Sequence, residues 1–475
     1  MPRPTHFLIF ALSLFSFVVS LFAEEPAHPQ FLKVGTAVVD SSPTQFPCVM
    51  NGGFAAWYSS TVTDPLHVRA IVIDDGETQI AMATADACVI PGEIVEWAKD
   101  QIVKQVPLRK DRIMISSTHC HSCPSLMQLH GTPVDEHYPA LFREKLVEAV
   151  VKAFQNRQNA RVAWGKDFDP ENVYCRRFIM KEGTAVTVDP DFTGSKGDVA
   201  QMNPGSNQEN IICRTGIPNP TVYVVAFQSP DGKPLALMAN YSTHYAGAKE
   251  ISADYFGLFC SEMAKRLGGD ENFFAVMTNG TSGDCNCIDF YSRTRKFTME
   301  TVANSVADAA ERACKRMQFT DWVPVKMTEE KLTVGVRKGT PAQVEKAKKY
   351  LADLEAEGKT PRTMTDVYAL GTVLMDSWPN ERALTLQAIR IGDVGITILP
   401  NETYSATGHK IRAASKAPMT YTIALANDYA GYLPTEADFK LGGYTTWRTM
   451  SSCCEPKAEE KIRTKLVEMV NSLFE

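Results

Sequence analysis

Apolar and polar residues alternate along residues 31–89, most clearly in three short stretches at 34–39, 67–73 and 79–84. A period of two is typical of β-strands, because successive side chains of a strand point to opposite faces of its sheet. The turn sequence Asp74-Asp75-Gly76 separates the second stretch from the third. The pattern therefore predicts strands joined by tight turns near the start of the chain.

Farther along, apolar positions recur with the spacing of amphipathic helices or form short runs bounded by turn residues. Helices are predicted over residues 93–104, 138–156, 257–267, 298–317 and 456–474, with a charged helix pair at 341–357 and 363–376. Strands are predicted over 112–117 and 272–277 and in two hairpins, 222–228 with 235–241 and 384–391 with 394–399. Residues 165–220 are rich in Gly, Pro, Asp and Asn, which predicts a long irregular loop of the kind that often carries function.

Strands and helices follow one another without a sequence repeat, a low-complexity stretch or a clear linker. This order predicts the α+β class, with mixed β-sheets flanked by helices, rather than a regular succession of βαβ units. We expect a single domain over residues 24–475, in which the charged helix pair forms a lobe.

The pattern of residues 1–23 is that of a secretory signal peptide. Arg3 and His6 precede an apolar run over residues 7–22, which ends at Ala23 before polar residues. We therefore expect a secreted or periplasmic protein. The alternative is an uncleaved membrane anchor, because the run is about as long as a short transmembrane helix.

The composition is that of an ordinary globular protein, with 44% hydrophobic and 22% charged residues in a chain of 475. The net charge is -6 and there is no long basic run, which argues against nucleic acid or an anionic membrane surface as the main partner. We expect a small-molecule partner, with any membrane contact made only through the substrate. The oligomeric state is left open.

Cysteines are numerous, with twelve in the chain. Several stand in pairs, at Cys120 and Cys123, at Cys285 and Cys287, and at Cys453 and Cys454. In an exported chain the first interpretation is a set of disulfides around loops; free buried thiols and a thiolate metal site are the alternatives. A redox role for Cys120 and Cys123 has the right spacing but lacks the expected βαβ surroundings.

Two histidines, His119 and His121, follow the predicted strand at 112–117. In extended backbone they share one face, so both can reach the same metal or substrate; a purely structural hydrogen-bonded pair is the alternative. His244 also follows a predicted strand, and three such histidines fit a zinc site with an open position. Glu402, after Pro400 at another strand end, is the best-placed carboxylate.

Other polar residues have weaker patterns. Asp86 also stands at a strand end, where a helix cap or a partner of a ligand is at least as good an interpretation as a ligand. The small polar loop at 278–287 is suited to bring amides and a nucleophile to a site, although a plain turn explains it too. Four histidines in polar or helical settings are predicted to lie at the surface: His28, His130, His137 and His409.

The segment from Ile115 to Pro124, Ile-Ser-Ser-Thr-His-Cys-His-Ser-Cys-Pro, resembles the Gly-Thr-His-Thr-His-Ser-Gly-Pro motif of neutral ceramidases. Later motifs agree in order, namely His244, Ser252-Ala-Asp254, Gly283-Asp284 and Leu399-Pro-Asn-Glu402. The resemblance covers the chain from about Phe31 to its end and implies the catalytic-domain fold of that family. No C-terminal immunoglobulin-like domain, which ceramidases carry, is expected here.

The resemblance implies a catalytic zinc ion held by His119, His244, Glu402 and Tyr444, with Tyr432 as the rival position for the tyrosine. It also implies that His121 faces the substrate. Arg176 resembles an arginine in the Asn-Arg-Ser segment of the family, where it would bind an anionic group or stabilise an oxyanion.

One departure from the family pattern affects the mechanism. Where the family has Gly-Asp-Val-Ser-Pro-Asn with the serine nucleophile, this chain has Gly283-Asp-Cys-Asn-Cys-Ile288, which places Asn286 at the position of the serine. We therefore expect hydrolysis by zinc-bound water, with Asp284 or His121 moving the proton and Asn286 donating to the oxyanion. Ser282, Cys285 and Cys287 remain possible nucleophiles if the loop register differs.

The expected function is an exported, zinc-dependent, ceramidase-like amidohydrolase acting on an amide or ester bond. Its substrate would be a small molecule such as a ceramide-like lipid, an acylated sugar or an acyl-amino compound. The alternative is a non-catalytic ligand-binding protein that keeps the ceramidase-like scaffold but has lost turnover along with the serine.

Overall fold

The computed structural model describes Met1 and residues 28–195, 197–269, 272–292 and 295–475. Apart from Met1, the predicted signal peptide at 1–23 lies outside the described residues. Within the described part, none of the helices combines the length and the apolar character that crossing a membrane requires.

The first half of the chain contains most of the strands. In order these are β1 (Leu32–Asp40), β2 (Cys48–Met50), β3 (Trp57–Ser59), β4 (His67–Asp74), β5 (Gln79–Ala85), β6 (Ile113–Ser117), β7 (Gln158–Phe168), β8 (Tyr174–Cys175), β9 (Arg177–Met180), β10 (Ala200–Met202), β11 (Ile211–Arg214), β12 (Thr221–Gln228) and β13 (Pro234–Tyr241). The helices among them are α1 (Gly92–Gln105), α2 (Tyr138–Gln155) and α3 (Pro190–Thr193).

The second half adds more helices. Its strands are β14 (Phe274–Asn279), β15 (Cys285–Asn286), β16 (Val325–Gly335), β17 (Glu381–Ile391), β18 (Val394–Leu399), β19 (Glu402–Thr403), β20 (Met419–Ala424) and β21 (Tyr432–Leu433). Its helices are α4 (Asp254–Arg266), α5 (Met299–Cys314), α6 (Pro341–Ala356), α7 (Met364–Leu374), α8 (Ser405–Ala414), α9 (Glu436–Leu441) and α10 (Ala458–Ser472).

Two mixed sheets stack face to face at the centre of the protein. The larger has the order β14-β13-β12-β7-β1-β4-β5-β6, and the smaller has the order β16-β17-β18-β20. Strand β4 shows how the alternation of side chains builds the layers, because Val68, Ala70 and Val72 pack with residues of α1, α2, α4 and α5. The intervening Ile71 and Ile73 face the smaller sheet. The predicted α+β class with mixed sheets and flanking helices is confirmed.

The smaller sheet is covered on its outer face by α10. Leu384 and Leu386 of β17 share a core with Ile462 and Leu466 of that helix, whereas Ile389 and Ile391 of the same strand point back toward the larger sheet. The protein therefore has four layers, helix, sheet, sheet and helix, with an apolar core at each of the three interfaces between them.

The periodic segments were predicted close to their true bounds, as in the hairpin β12–β13 and helix α2. Several elements were missed, the longest of them being strands β7, β16 and β20 and helix α8. Strand β16 carries charged residues at 329–331 on its exposed part, which hides its period of two. The predicted irregular loop at 165–220 contains the end of β7 and the small sheet β10-β9-β11.

The prediction of disulfides is wrong, because all twelve cysteines are free in the structure. Even the adjacent Cys453 and Cys454 have their Sγ atoms 4.0 Å apart, about twice the length of an S–S bond. Most of these side chains are buried, where Cys behaves as a small apolar residue. A chain of this size builds a sufficient core without crosslinks.

Candidate metal centre

Three side chains converge just beyond the ends of three strands. His119 follows β6, His244 follows β13 and Glu402 follows β18, and all three are at most 4% exposed. His119 has a φ of 66°, an uncommon left-handed conformation for a residue with a Cβ, and conformations of this kind cluster at functional sites. Its backbone N–H is fixed by the Ala87 carbonyl at 3.0 Å.

The converging atoms are close enough to share one ion. The Nε2 atom of His119 lies 3.1 Å from Nε2 of His244 and 3.4 Å from Oε2 of Glu402. Nε2 of His244 is 3.8 Å from the same carboxylate oxygen. These donor atoms all lie within 4.8 Å of one another.

The hydrogen bonds of the two rings decide which nitrogen faces the centre. Nδ1 of His119 donates to the Cys88 carbonyl at 2.8 Å, and Nδ1 of His244 donates to the Ser282 carbonyl at 3.2 Å. With the protons on Nδ1, both Nε2 atoms present lone pairs to each other. Oε2 of Glu402 is buried without a hydrogen-bond partner among the described residues. Such a set of inward-facing lone pairs fits a divalent cation such as zinc.

His121 completes a triangle of imidazoles. Its Nε2 lies 3.2 Å from Nε2 of His119, and its ring stacks on Tyr245 with the centroids 3.9 Å apart. Gly52 allows this placement, because a Cβ at that position would lie 2.6 Å from the His121 ring. Burial holds the pKa of His121 well below its usual range.

A thiol stands close to the same centre. Cys88, His119 and His121 form a second group of convergent donor atoms. Burial raises the pKa of the Cys88 thiol, which disfavours the thiolate that a metal would require. Imidazole and carboxylate donors are therefore the better ligand set.

Glu402 is held by residues in strand β21 and in the loop just before it. Its Oε1 accepts a hydrogen bond from the Tyr429 hydroxyl at 2.8 Å, and its backbone pairs in register with Tyr432. Burial by itself would raise the pKa of Glu402, but the neighbouring His119 and Arg176 bring that pKa below its ordinary value. The carboxylate therefore stays ionised, as a metal ligand must be.

Arg176 is a buried cation beside the histidines, only 3% exposed. Its Nη2 atom donates to the Gly283 carbonyl at 3.0 Å and to the Tyr432 hydroxyl at 3.2 Å. Its Nε atom has no hydrogen-bond partner among the described residues. A buried guanidinium with unused donors is suited to stabilise negative charge on a bound molecule.

These groups surround a cavity of about 250 Å³. Its walls include the predicted site residues His119, His121, Arg176, Glu402, Tyr432 and Tyr444. The rings of the two tyrosines meet edge to face with their centroids 5.9 Å apart. Most of the residues that the sequence singled out therefore meet at one place.

Three predicted site residues, His244, Asp284 and Asn286, lie outside the lining of this cavity, and the last two are bound to neighbouring loops. The Asp284 carboxylate accepts hydrogen bonds from the backbone and hydroxyl of Ser405 at 2.8 and 3.0 Å, at the start of α8. The amide nitrogen of Asn286 donates to Oδ1 of Asn203 at 3.2 Å, and Asn203 does line the cavity. Both residues therefore hold neighbouring loops in place.

The two thiols of the loop that carries Asp284 and Asn286 also lie outside the cavity lining. Cys285 lies 3.0 Å from the Ser405 hydroxyl, and Cys287 lies 3.8 Å from the hydroxyl of Thr243. Burial raises the pKa of Cys285 and brings that of Cys287 to about 12. Both thiols are therefore protonated and unreactive at neutral pH.

Several lining residues were missed by sequence reasoning, among them His130 and Tyr429. His130 was predicted to lie at the surface, which is wrong: it is 9% exposed and lines the cavity. A tight turn, closed by reciprocal bonds between Leu129 and Thr132, folds this polar segment against Phe54, whose ring lies 5.2 Å from that of His130. Tyr429 lies three residues before Tyr432, and nothing in the sequence singled it out.

Asp86 is a structural partner. Its Oδ2 atom accepts from Arg69 at 2.6 Å and from the backbone of His67 at 2.9 Å. This buried ion pair connects the ends of β4 and β5. The interpretation of Asp86 as a metal ligand is wrong.

Comparison with known proteins now identifies the fold. No protein-family model matches the chain, and no curated protein matches it. The crystal structure of neutral ceramidase from Pseudomonas aeruginosa is similar, with a TM-score of 0.69 and 14% sequence identity over 94% of this chain and 75% of that chain. A ceramidase complexed with C2 gives a TM-score of 0.68 and 13% identity over 94% and 76%. The chain therefore has a neutral-ceramidase-like fold, as the sequence motifs implied.

Proposed function

We propose that this protein is a zinc-dependent hydrolase of an amide or ester bond. The observation that carries the proposal is the facing of two Nε2 lone pairs, 3.1 Å apart, beside an unpartnered carboxylate oxygen. Without a cation between them these groups repel one another in a buried place, where unpaired polar groups are costly. The ceramidase-like fold supports the choice of hydrolysis as the reaction class.

The proposed ligands are His119, His244, Glu402 and one tyrosine. Tyr432 is the better candidate for the fourth position, because it pairs in register with Glu402 and its hydroxyl accepts from Arg176. Tyr444, the tyrosine favoured by the motif comparison, is then free to contact the substrate. Its ring lies on the cavity wall beside Phe54.

Zinc held by these residues would act as a Lewis acid and would lower the pKa of a water molecule bound to it. His121 is neutral at neutral pH, because burial lowers its pKa, and its Nε2 faces the centre as a proton acceptor. Arg176 stabilises the negative charge that develops on the carbonyl oxygen. The Tyr444 hydroxyl is proposed to orient the same oxygen.

Attack by water is supported by the position of the loop residues named as possible nucleophiles: in the part of the chain that the structure describes, Ser282, Cys285 and Cys287 lie outside the cavity lining. Asn286 bonds to Asn203 outside the cavity, and the two nearby thiols are buried with raised pKa values. We assign to Asn286 a positioning role through Asn203. Asp284, bound to Ser405, is likewise proposed to hold the loop that carries the Gly283 carbonyl against Arg176.

We further propose that residues 24–475 form one catalytic domain, exported by a signal peptide over residues 1–23. The substrate is proposed to be a small acylated molecule. This placement outside the cytoplasm is testable by sequencing the amino terminus of the protein recovered from the culture medium or periplasm.

Metal analysis and a substrate screen test the function. Purified wild type is expected to hold one zinc ion per chain, and Glu402→Ala and His119→Ala are expected to lose it. Absence of metal from the wild type would refute the zinc site. Stoichiometric zinc without turnover of any amide or ester in a broad screen would instead identify a ligand-binding protein.

A further inference from the structure

A second cavity of about 230 Å³ adjoins the metal-site cavity. The two share Phe54, Asn203 and Tyr444 in their linings. The two cavities are therefore neighbours that meet at these three side chains. The second cavity contains none of the proposed ligands, so it is a place for the part of a substrate that does not react.

The walls of the second cavity are mostly apolar. Val186 and Met202 come from the segment between β9 and β11, Met364 comes from the start of α7, and Trp447 comes from the loop after α9. Apolar walls of this kind favour a hydrocarbon or an aromatic group over a charged one.

Trp447 and Val186 are held in place in this wall by neighbouring side chains. The indole nitrogen of Trp447 donates to Asp198 at 3.0 Å, and its ring meets Tyr368 edge to face with the centroids 5.2 Å apart. The backbone N–H of Val186 donates to the side chain of Gln201 at 3.2 Å. These contacts hold this part of the wall in place before a ligand binds, which reduces the ordering that binding requires.

The size of the cavity limits the group that it can hold. An engineered protein cavity of about 150 Å³ accommodates one benzene molecule, and the cavity here has about one and a half times that volume. Val186 is 45% exposed, so a longer chain would emerge into solvent beside it. A ring or a chain of about six carbons therefore gains the full burial that this cavity offers.

We propose that this second cavity binds the apolar acyl group of the substrate and restricts efficient substrates to short-chain or aromatic acyl compounds. The inference rests on the proposed hydrolase function and gives its substrate class. The scissile carbonyl lies at the metal and Arg176, and the acyl group passes Tyr444 and Asn203 into the second cavity.

Binding of simple carboxylates tests the subsite without requiring turnover. Acetate, butyrate, hexanoate, benzoate and decanoate are titrated into the zinc-loaded protein by calorimetry. Affinity is expected to rise by about fourfold per buried methylene up to hexanoate, to be comparable for benzoate, and then to level off. Equal affinities throughout, or a rise that continues through decanoate, would overturn the proposal.

Substitutions at the cavity wall test whether the dependence of affinity on chain length arises in the second cavity. Val186→Trp is expected to fill the cavity and lower hexanoate and benzoate affinity by at least about tenfold, while acetate binding stays unchanged. Met364→Ala enlarges the cavity and should raise decanoate affinity relative to hexanoate. Val199→Trp is the matched control, because Val199 is similarly exposed at 46% and belongs to the same segment. If neither wall variant alters the chain-length pattern, the subsite is refuted.

Measuring ester hydrolysis distinguishes failure of the proposed subsite from failure of the proposed hydrolase function. A series of p-nitrophenyl esters with the same acyl groups is assayed in parallel. Hydrolysis with a kcat/KM that is independent of chain length would overturn the subsite while supporting the hydrolase. The expected carboxylate pattern without hydrolysis of any ester or amide would support the subsite and refute the hydrolase.

Discussion

His119 and His244 face each other through their Nε2 atoms at 3.1 Å, and both rings donate their Nδ1 protons to backbone carbonyls. Because each neutral ring carries its single proton on Nδ1, neither Nε2 atom has a proton to donate to the other. This arrangement is the one found at metal sites, where a ring is oriented by a bond from its other nitrogen. The stability of this region should therefore depend on a bound cation.

Removal of metal is expected to lower the thermal stability. A ligand present at about a hundred times its Kd contributes about 2.7 kcal/mol, so treatment with a chelator should lower Tm by about 3 °C in a chain of this length. Zinc should restore the original Tm in the wild type and in His137→Ala, whose histidine is exposed, but have no effect on His119→Ala. A chelator-insensitive Tm in metal-containing wild type would contradict the prediction.

Tyr432 and Tyr444 are expected to affect zinc binding differently when each loses its hydroxyl. Tyr432→Phe removes the phenol in register with Glu402 and should weaken zinc binding by about ten- to a hundredfold. Tyr444→Phe should retain zinc and lower kcat. Zinc affinity by competition with a chromophoric chelator, measured beside kcat, distinguishes them. The reverse pattern would identify Tyr444 as the ligand.

Tyr429 is expected to act on the metal through Glu402. Tyr429→Phe removes the hydrogen bond to Oε1 of Glu402 without changing the shape of the ring. Hydrogen bonds to charged groups contribute about 1.5 to 3 kcal/mol, so zinc affinity should fall by at least about tenfold. Tyr421→Phe is the control, since that buried ring lies in the core between the sheets. Equal zinc affinity in both variants would exclude the role of Tyr429.

The buried pair of Arg69 and Asp86 is expected to be important for stability. Asp86→Ala leaves a guanidinium that is 6% exposed without its partner, which costs about 3–5 kcal/mol. Arg69→Met combined with Asp86→Ala should recover part of this loss, because the unpaired charge is then gone. Urea denaturation measures both. Lys110→Ala, which breaks an exposed ion pair with Asp100, should have no measurable effect.

Reducing agents are expected to leave the stability unchanged. All twelve cysteines are free, so Tm in excess dithiothreitol should equal Tm without it. Thiol titration of the denatured protein under non-reducing conditions should count twelve reactive groups. A Tm that falls on reduction, or a lower thiol count, would indicate disulfides and contradict the structure.

Local sequence patterns were sufficient to predict most of the longer strands and helices. Strand β12 and helix α2 were predicted because apolar side chains with periods of 2 and about 3.6 identify a face that must be buried. Helices α6 and α7 begin at Thr340 and Thr363, whose side chains form capping boxes with residues three positions later. Strand β16 was missed because its exposed residues gave no such period.

For the site, the sequence by itself determined which residue types stand at strand ends, and thereby nominated His119, His244 and Glu402. Only the tertiary structure decided that these atoms meet, that the Asn286 and Asp284 side chains lie outside the cavity, and that His130 and Tyr429 line it. The physical reason is that a periodic pattern reports the burial of one face of one element. The meeting of residues hundreds of positions apart depends on how the sheets stack and how each connecting turn is closed.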